Sequence, residues 1–192
     1  MANLMVDERF LAAVPAEKRA SYEKRWRAIV SDHMDFIWRA LRRLGVRDAD
    51  LADAAQQVFL VMARKLALVR EGSERGFLFQ TAVRVASDSR RSRTRRREVP
   101  DDLLASRADE RPGPDETLEA RFRRAQLDRI LDRMPMDLRA VFVLSELEEL
   151  TMAQIAAMMG MPPGTVASRL RRARAAFGEH VARLHEQERQ GE

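Results

Sequence analysis

The side chains best suited to contacting nucleic acid lie near the C-terminal end of the chain. Guanidinium and hydroxyl groups on an exposed helix can donate hydrogen bonds to base edges in a major groove. A predicted helix carries six such groups on one side: Thr165, Ser168, Arg169, Arg171, Arg172 and Arg174. Its other side repeats apolar residues at helical spacing, as a helix packed on a core does: Val166, Leu170, Ala173 and Phe177. A solvated basic helix on an ordinary bundle has the same pattern, so the preceding residues must discriminate between the two.

The residues before this helix predict a shorter helix and a tight turn. Thr151 and Gln154 have the spacing of a capping box, and Gly160 can end a helix in the left-handed conformation. The Pro-Pro-Gly segment 162–164 is expected to form the turn. Two short helices joined in this way make a helix-turn-helix, which favours DNA binding over a merely solvated basic face.

Composition excludes several classes of function. The chain has 192 residues, 45% of them hydrophobic, and a net charge of +5, which favours a polyanionic partner. It has no cysteine, and its three histidines lack metal-ligand spacing, so neither a metal site nor a cofactor is expected. No glycine-rich phosphate loop and no group of histidines with carboxylates is present, so no catalytic residue is predicted. Without a signal peptide or a long apolar run, the protein is expected to be cytoplasmic and without a membrane segment.

The N-terminal half predicts three helices, and the second has two distinct faces. The first helix runs from about Glu17 to Leu44 and ends at Gly45. The second begins near Asp48 or Asp50, and its core face carries Leu51, Ala55, Val58, Met62 and Leu66. Its opposite face places an apolar residue among polar ones: Asp53, Gln57, Leu60 and Arg64. Such a mixed stripe suggests a protein contact, although a single exposed leucine is also ordinary.

The third helix changes from apolar to strongly basic along its length. It buries Leu78, Ala82 and Val85, and six arginines follow between Arg90 and Arg97. Because this run continues a packed helix, its charges are held on a surface that phosphates could follow. A solvated helix end or an RNA-binding tag are the alternatives. The Val99-Pro100 pair is expected to end the helix.

The predicted fold is all-α, with two small helical domains joined by a flexible acidic linker. The segment 98–119 carries a net charge of −6, which leaves about +11 on the rest of the chain. Like charge on the two domains gives them no reason to pack on each other. The expected divisions are an N-terminal extension at 1–21, a first domain at 22–97, the linker at 98–117, a four-helix second domain at 118–184 and a tail at 185–192. The polar residues from His180 to Glu192 are expected to fray.

Three segments together resemble a bacterial RNA polymerase sigma factor of the extracytoplasmic-function (ECF) group. They are DADLADAAQQVFLVMARKL, then GFLFQTAVRVASDSRRSRTRRR, then LDRMPMDLRAVFVLSELEELTMAQIAAMMGMPPGTVASRLRRARAAF, and the resemblance covers about residues 22 to 180. It implies a protein without enzyme activity that binds core RNA polymerase and promoter DNA. It also implies an inhibitory anti-sigma factor as a partner, and no small-molecule substrate.

The resemblance assigns roles to residues in both domains. Those matching the segment that docks on polymerase are Asp53, Gln56, Gln57 and Leu60. Those matching the part that captures the minus-10 promoter element are Phe77, Arg84, Asp88, Arg90, Arg91 and Arg93. Those matching the helix that contacts the minus-35 element are Thr165, Ala167, Ser168, Arg169, Arg171 and Arg172.

Three positions depart from the family pattern. Gln57 stands where the family usually has Glu, which removes one charge from the docking segment. Arg84 stands in place of a common Asn and Phe77 in place of Trp, so the preferred minus-10 base is left open. Ala167 and Arg171 occupy variable positions of the minus-35 helix and are expected to influence promoter choice.

A free-standing helix-turn-helix regulator remains as the alternative function. Such a protein would use its N-terminal half to sense a ligand or to dimerise. It would need neither the mixed stripe on the second helix nor a basic helix end beside it, so the first domain discriminates between the two functions.

Overall fold

The computed structural model describes residues 16–97 and 117–190, and every regular element within these ranges is helical. The N-terminal unit, residues 16–97, contains α1 (Ala16–Arg43), a short 3-10 turn (Asp48–Asp50), α2 (Leu51–Lys65) and α3 (Glu74–Arg97). The C-terminal unit, residues 117–190, contains α4 (Leu118–Asp132), α5 (Met136–Phe142), α6 (Met152–Met159) and α7 (Pro163–Gln190). A π-helical turn, Val143–Leu147, extends α5. The all-α prediction is confirmed, while residues 1–15 and most of the predicted linker lie outside the described residues.

The core of the N-terminal unit lies among α1, α2 and α3. The predicted core face of α2 is buried along its whole length, and Phe59 meets Trp26 edge to face with ring centroids 6.1 Å apart. On α3, Leu78, Ala82 and Val85 are buried as predicted. Gly45 ends α1 with φ +95°, a conformation that glycine adopts without strain. The apolar periodicity therefore located the buried faces of these helices correctly.

An arginine brace ties α1 to the connection between α2 and α3. The Arg25 guanidinium donates hydrogen bonds to the carbonyls of Leu66 (3.2 Å) and Val69 (2.7 Å). It also donates to the Glu74 carboxylate at 2.7 Å. Glu74 is the first residue of α3, so this brace sets where the predicted minus-10 helix begins.

The helix-turn-helix forms as predicted, with one difference at the turn. Thr151 and Gln154 make both hydrogen bonds of a capping box, and Gly160 is left-handed with φ +63°. The prediction that Pro163 and Gly164 belong to the turn is wrong, because α7 already begins at Pro163. A proline fits the first helical position because its fixed φ suits a helix and its missing N–H is not needed there.

The C-terminal helix α7 is longer than expected. It continues as one helix to Gln190, through the polar residues from His180 onward that were expected to fray. Good helix formers and an i,i+4 ion pair between Glu179 and Arg183 (3.8 Å) favour the extension. Nearer its start, Phe177 stacks on Phe142 with ring centroids 4.7 Å apart, which anchors α7 to α5. None of the helices within residues 16–97 and 117–190 has the length and apolar composition that a membrane crossing requires.

The two units pack on each other, although their like charge was not expected to help them to close. Ala140, Val141 and Leu144 of the C-terminal unit belong to the same buried cluster as Ile37 and Phe79 of the N-terminal unit. A second, smaller cluster lies within the C-terminal unit, around Leu131, Met134, Leu138, Phe142 and Ala173. Acidic side chains lie opposite arginines where the two units meet, and they offset the repulsion between the two basic units.

Candidate nucleic-acid interface

The recognition face of α7 divides into two groups of side chains. Val166, Leu170 and Ala173 are buried on the opposite face, as predicted. The candidate minus-35 residues Arg171 and Arg172 are exposed, whereas Thr165, Ala167, Ser168 and Arg169 are half-buried. The exposed guanidinium groups of α7 can therefore approach a groove without any repacking of the core.

Three side chains beside this face have local partners. The Ser168 hydroxyl donates to the Thr165 carbonyl at 3.0 Å, which leaves its oxygen able to accept. One Arg169 N–H contacts the Met161 sulfur at 3.8 Å, so Arg169 leans toward the turn. Arg174 pairs with Glu146 at 2.8 Å and is held against the C-terminal unit. Because Arg172 is exposed, it is suited to contact base edges. Arg169 is half-buried and leans toward the turn, so it is better suited to contacts that do not depend on DNA sequence.

The candidate minus-10 residues of α3 lie in different environments. Arg84, Asp88 and Arg91 are exposed, while Phe77 is half-buried and packs against the large core. Arg90 donates to the Asp132 carbonyl at 2.9 Å, and Arg93 donates to the Gly45 carbonyl at 3.1 Å. The structure thus brings all six residues onto one helix but leaves only part of the set open to solvent.

An open groove of about 550 Å³ lies between the basic part of α3 and the start of α5. Its lining includes Ser87, Arg90, Arg91, Arg95 and Met136. Guanidinium donors around an open groove suit the phosphate oxygens of a nucleic-acid backbone. This basic groove is consistent with the phosphate-following surface that the arginine run predicts.

The candidate docking stripe on α2 has the exposure that its pattern predicts. Asp53, Gln56 and Gln57 are exposed, and Leu60 is half-buried beside them. The neighbouring Val58 and Phe59 are fully buried in the core. A partner could therefore contact the stripe without disturbing the fold.

The sequence analysis missed the residues that join the two units. We call this contact the interdomain surface, and it is formed by Arg43, Gly45, Gly76, Gln80, Asp132, Arg139, Glu148 and Met158. The acidic doublet Glu148-Glu149 just before the helix-turn-helix was the available signal, because acids there are unexpected beside a DNA-binding helix. Nothing in the pattern around Arg139 distinguished it from a solvated arginine.

Arg139 is completely buried at the centre of the interdomain surface. Its Nε donates to the Arg43 carbonyl, and its Nη1 donates to the Asp132 carboxylate at 2.7 Å. Burial lowers the pKa of Arg139, although the Asp132 carboxylate opposes that effect. A Cβ at Gly45 would come within 2.8 Å of Asp132 Oδ1 and would also be strained by the φ of +95°, so glycine suits this position beside the pair.

Glu148 collects arginines from two helices of the N-terminal unit. Its carboxylate lies 3.2 Å from Arg39, 3.7 Å from Arg75 and 3.9 Å from Arg43. The Glu148 side chain is only 6% exposed, so these charges interact in a partly water-excluded environment. This carboxylate neutralises part of the positive charge that would otherwise oppose closure.

The helix-turn-helix itself touches the start of α3. Gln80 Nε2 donates to the Met158 carbonyl at 2.8 Å. A Cβ at Gly76 would lie 3.0 Å from the same carbonyl oxygen, which is closer than ordinary packing allows. Gly76 therefore permits α6 to approach α3 closely.

No group of histidine and carboxylate side chains within the described ranges could hold a metal ion. Among these residues, acids are instead paired with arginines, as at Glu74, Asp132 and Glu148.

Comparison with known proteins agrees with the domain order. Sigma-70 region 2 matches residues 29–96, and Sigma-70, region 4 matches residues 124–177. The ECF RNA polymerase sigma factor SigE of Mycolicibacterium smegmatis is 30% identical over 160 residues, which cover 82% of this chain and 62% of SigE. The ECF RNA polymerase sigma-E factor of Escherichia coli is 31% identical over 148 residues, which cover 72% of this chain and 78% of that protein. The match to SigE therefore spans less than two thirds of its length.

Two solved structures share the fold. CnrH, in complex with the cytosolic domain of CnrY, superposes with a TM-score of 0.61 at 18% identity, covering 91% of this chain and 94% of CnrH. The sigma factor RpoE of Bartonella quintana, in complex with the anti-sigma factor NepR, gives a TM-score of 0.57 at 20% identity, covering 81% of this chain and 98% of RpoE. At these identities the likeness establishes the fold alone. Both sigma-70 regions in their usual order, with 31% identity over most of the Escherichia coli protein, show that the chain belongs to the ECF group of sigma-70 family RNA polymerase sigma factors.

Proposed function

We propose that this chain directs promoter-specific transcription initiation as a cytoplasmic, non-catalytic subunit of bacterial RNA polymerase. In this proposal the α2 stripe, with Leu60 at its centre, docks on core polymerase. The basic part of α3 contacts the minus-10 element, and α7 contacts the minus-35 element.

One observation carries the proposal: a single chain holds two separate DNA-facing helices and a mixed stripe on a third. A duplex reader needs only the recognition face of α7, where Arg171 and Arg172 are exposed. The aromatic Phe77 and the arginine run lie on one helix, and aromatic and basic side chains together suit an unstacked single strand. Reading duplex at one site and opened DNA at another is the task of an initiation factor.

A free-standing regulator is the second function, and the exposed stripe argues against it. Asp53, Gln56 and Gln57 are exposed around a half-buried Leu60, which is the pattern of a protein contact and not of a ligand sensor. In the proposed function this stripe has a defined role, while in the regulator it has none.

The test is a binding titration at fixed salt, because protein–DNA affinity depends strongly on salt. A cognate promoter and a scrambled one are each titrated with the protein alone and with the protein plus core polymerase. We expect discrimination only in the presence of polymerase. Equal discrimination by the protein alone would favour the free-standing regulator.

An anti-sigma factor is the further partner that we propose, since the RpoE structure of similar fold contains one. Affinity purification of this chain from its host, followed by mass spectrometry, would recover core polymerase subunits and the anti-sigma factor. Recovery of polymerase alone would remove the anti-sigma factor from the proposal and leave the function intact.

A further inference from the structure

Sulfur is concentrated at the turn of the helix-turn-helix. The chain has ten methionines and no cysteine, and four of the methionines, which we call the methionine group, fall in the ten residues 152–161: Met152, Met158, Met159 and Met161. Met62 and Met134 are instead sealed in the core, with exposures of 0% and 1%. Met152 is 51% exposed and the rest of the group is half-buried, so an oxidant in solvent reaches the group more easily than the core.

The Met161 sulfur contacts a candidate DNA-binding side chain. An N–H of the Arg169 guanidinium lies 3.8 Å from this sulfur, and a thioether is only a weak hydrogen-bond acceptor. The backbone here is held in place, because the Met161 N–H donates to the Ala156 carbonyl at 3.1 Å. The Met161 side chain also packs against the large core. A chemical change at this sulfur therefore acts on Arg169 directly.

Oxidation of Met161 would replace this weak acceptor with a strong one. A lone pair of the sulfur attacks an oxygen of the peroxide, the O–O bond breaks, and water leaves; sulfur gives up two electrons and the peroxide takes them. The sulfoxide oxygen carries partial negative charge and is one bond from the sulfur, within reach of the same Arg169 N–H. Because guanidinium groups donate most strongly to negatively charged oxygens, the sulfoxide would hold Arg169 toward the turn and away from DNA.

We propose that Met161 is an oxidation site through which peroxide lowers the affinity of α7 for DNA at the minus-35 element, with Arg169 as the side chain that is withdrawn. This inference rests on the proposed function. Arg169 is suited to contacts that do not depend on DNA sequence, so its withdrawal weakens binding to all minus-35 sequences alike. Methionine sulfoxide is reduced back to methionine by two reductases, one for each epimer, so the modification is reversible.

The first measurement locates the oxidation. The purified chain is treated with hydrogen peroxide, separated from it and digested with trypsin, which cleaves after lysine and arginine. The segment 140–169 is then a single peptide that carries the whole methionine group, and its fragment masses assign the added oxygen. We expect Met161 to gain an oxygen at peroxide concentrations that leave the buried Met62 and Met134 unmodified. Protection of Met161 equal to that of Met62 would overturn the inference.

The second measurement is the promoter affinity of the holoenzyme. The oxidised chain, freed of peroxide, is assembled with untreated core polymerase and titrated with a promoter at fixed salt. Loss of one hydrogen bond from a charged group corresponds to a loss of affinity of about tenfold. We expect this loss for the cognate promoter and for one with a scrambled minus-35 element. Treatment with both sulfoxide reductases before assembly should restore the affinity.

Three variants separate Met161 from its neighbours, with circular dichroism checking that each is folded. Met161→Leu conserves the side-chain volume without an oxidisable sulfur, so it should bind the promoter at least as tightly as the unchanged chain and lose no affinity after peroxide. Met152→Leu is the matched control, because it removes a more exposed sulfur of the same group and should remain sensitive. Arg169→Ala should start with weaker binding and lose little more after peroxide, because the side chain that the sulfoxide would hold is absent.

The outcomes separate this inference from the function on which it rests. A loss of affinity after peroxide in Met161→Leu as large as in the unchanged chain would assign the effect to another residue and overturn the inference. A full further loss in Arg169→Ala would overturn the role of Arg169, because oxidation would then act by disturbing the turn. If the unoxidised holoenzyme fails to distinguish the cognate promoter from a scrambled one, the proposed function fails instead, wherever the oxygen is found.

Discussion

The brace between Arg25 and Glu74 predicts a pH-dependent loss of stability when the carboxylate is removed. The two side chains are only 25% and 12% exposed, and their nitrogen–oxygen distance is 2.7 Å. The Glu74→Gln variant keeps the size of the side chain and removes its charge. It therefore tests the ionic part of the brace without creating a cavity.

The expected loss is modest at neutral pH. A hydrogen bond to a charged group contributes about 1.5–3 kcal/mol, and glutamine retains an oxygen that can still accept from Arg25. Partial exposure reduces the charge contribution further. We therefore expect the free energy of unfolding to fall by about 1–2 kcal/mol at pH 7.

The pH dependence follows from the direction of the Glu74 pKa shift. Burial alone raises the pKa of this carboxyl, but hydrogen bonds from Arg25 and the backbone outweigh burial and hold it below 4.5. A lowered folded-state pKa gives stability that is present above the unfolded-state pKa and is lost as pH falls through the folded value. The difference between the unchanged protein and Glu74→Gln should therefore shrink below pH 4.5.

The assay is urea unfolding followed by circular dichroism at several pH values between 7 and 3. The control is Glu23→Gln, which removes an exposed ion pair to Arg27 (3.4 Å) in the same unit and should cost less than about 0.5 kcal/mol. A stability gap for Glu74→Gln that stays constant across the pH range would refute the reasoning. A loss in Glu23→Gln as large as that in Glu74→Gln would refute it as well.

Three further predictions concern the other surfaces. We expect the Leu60→Arg and Asp53→Lys variants to keep their helix content but to lose co-purification with core polymerase, because both side chains point away from the core. If either variant still assembles a normal complex with polymerase, the stripe is only a solvated face. Arg172→Ala should cost about 1–3 kcal/mol at one minus-35 position, whereas Arg169→Ala should weaken binding to all sequences similarly in quantitative binding assays. Burial raises the pKa of the Asp128 carboxyl, so ionisation of this group lowers the stability of the folded protein as pH rises above 3.8. The Asp128→Asn variant should therefore have a higher urea midpoint than the unchanged protein at pH 7 and the same midpoint at pH 3.

Local periodicity was sufficient to predict the helices and their buried faces. The stripe from Leu51 to Leu66 repeats at helical spacing, and this repeat depends only on which side of α2 faces a core. The capping box at Thr151 is likewise a property of four neighbouring residues. Candidate contacts such as Arg172 followed from the same geometry, because a residue opposite a buried stripe is exposed.

The contact between the units was beyond such local patterns. Arg139 lies on a short helix among other charged residues, and its burial depends on Asp132, on the Arg43 carbonyl and on the space left by Gly45. These partners are brought together by tertiary structure, since Gly45 and Arg139 are far apart in sequence. Net charge was misleading for the same reason: the placement of Glu148 opposite three arginines matters more to closure than the total charge of either unit.

The two glycines at the contact also set a rule for building chimeras. A grafted N-terminal module with a larger residue at position 76 would press on the Met158 carbonyl of the retained module, and one with a larger residue at position 45 would displace the Asp132 side chain. Such a hybrid would keep both recognition helices and lose the packing that fixes their relative placement.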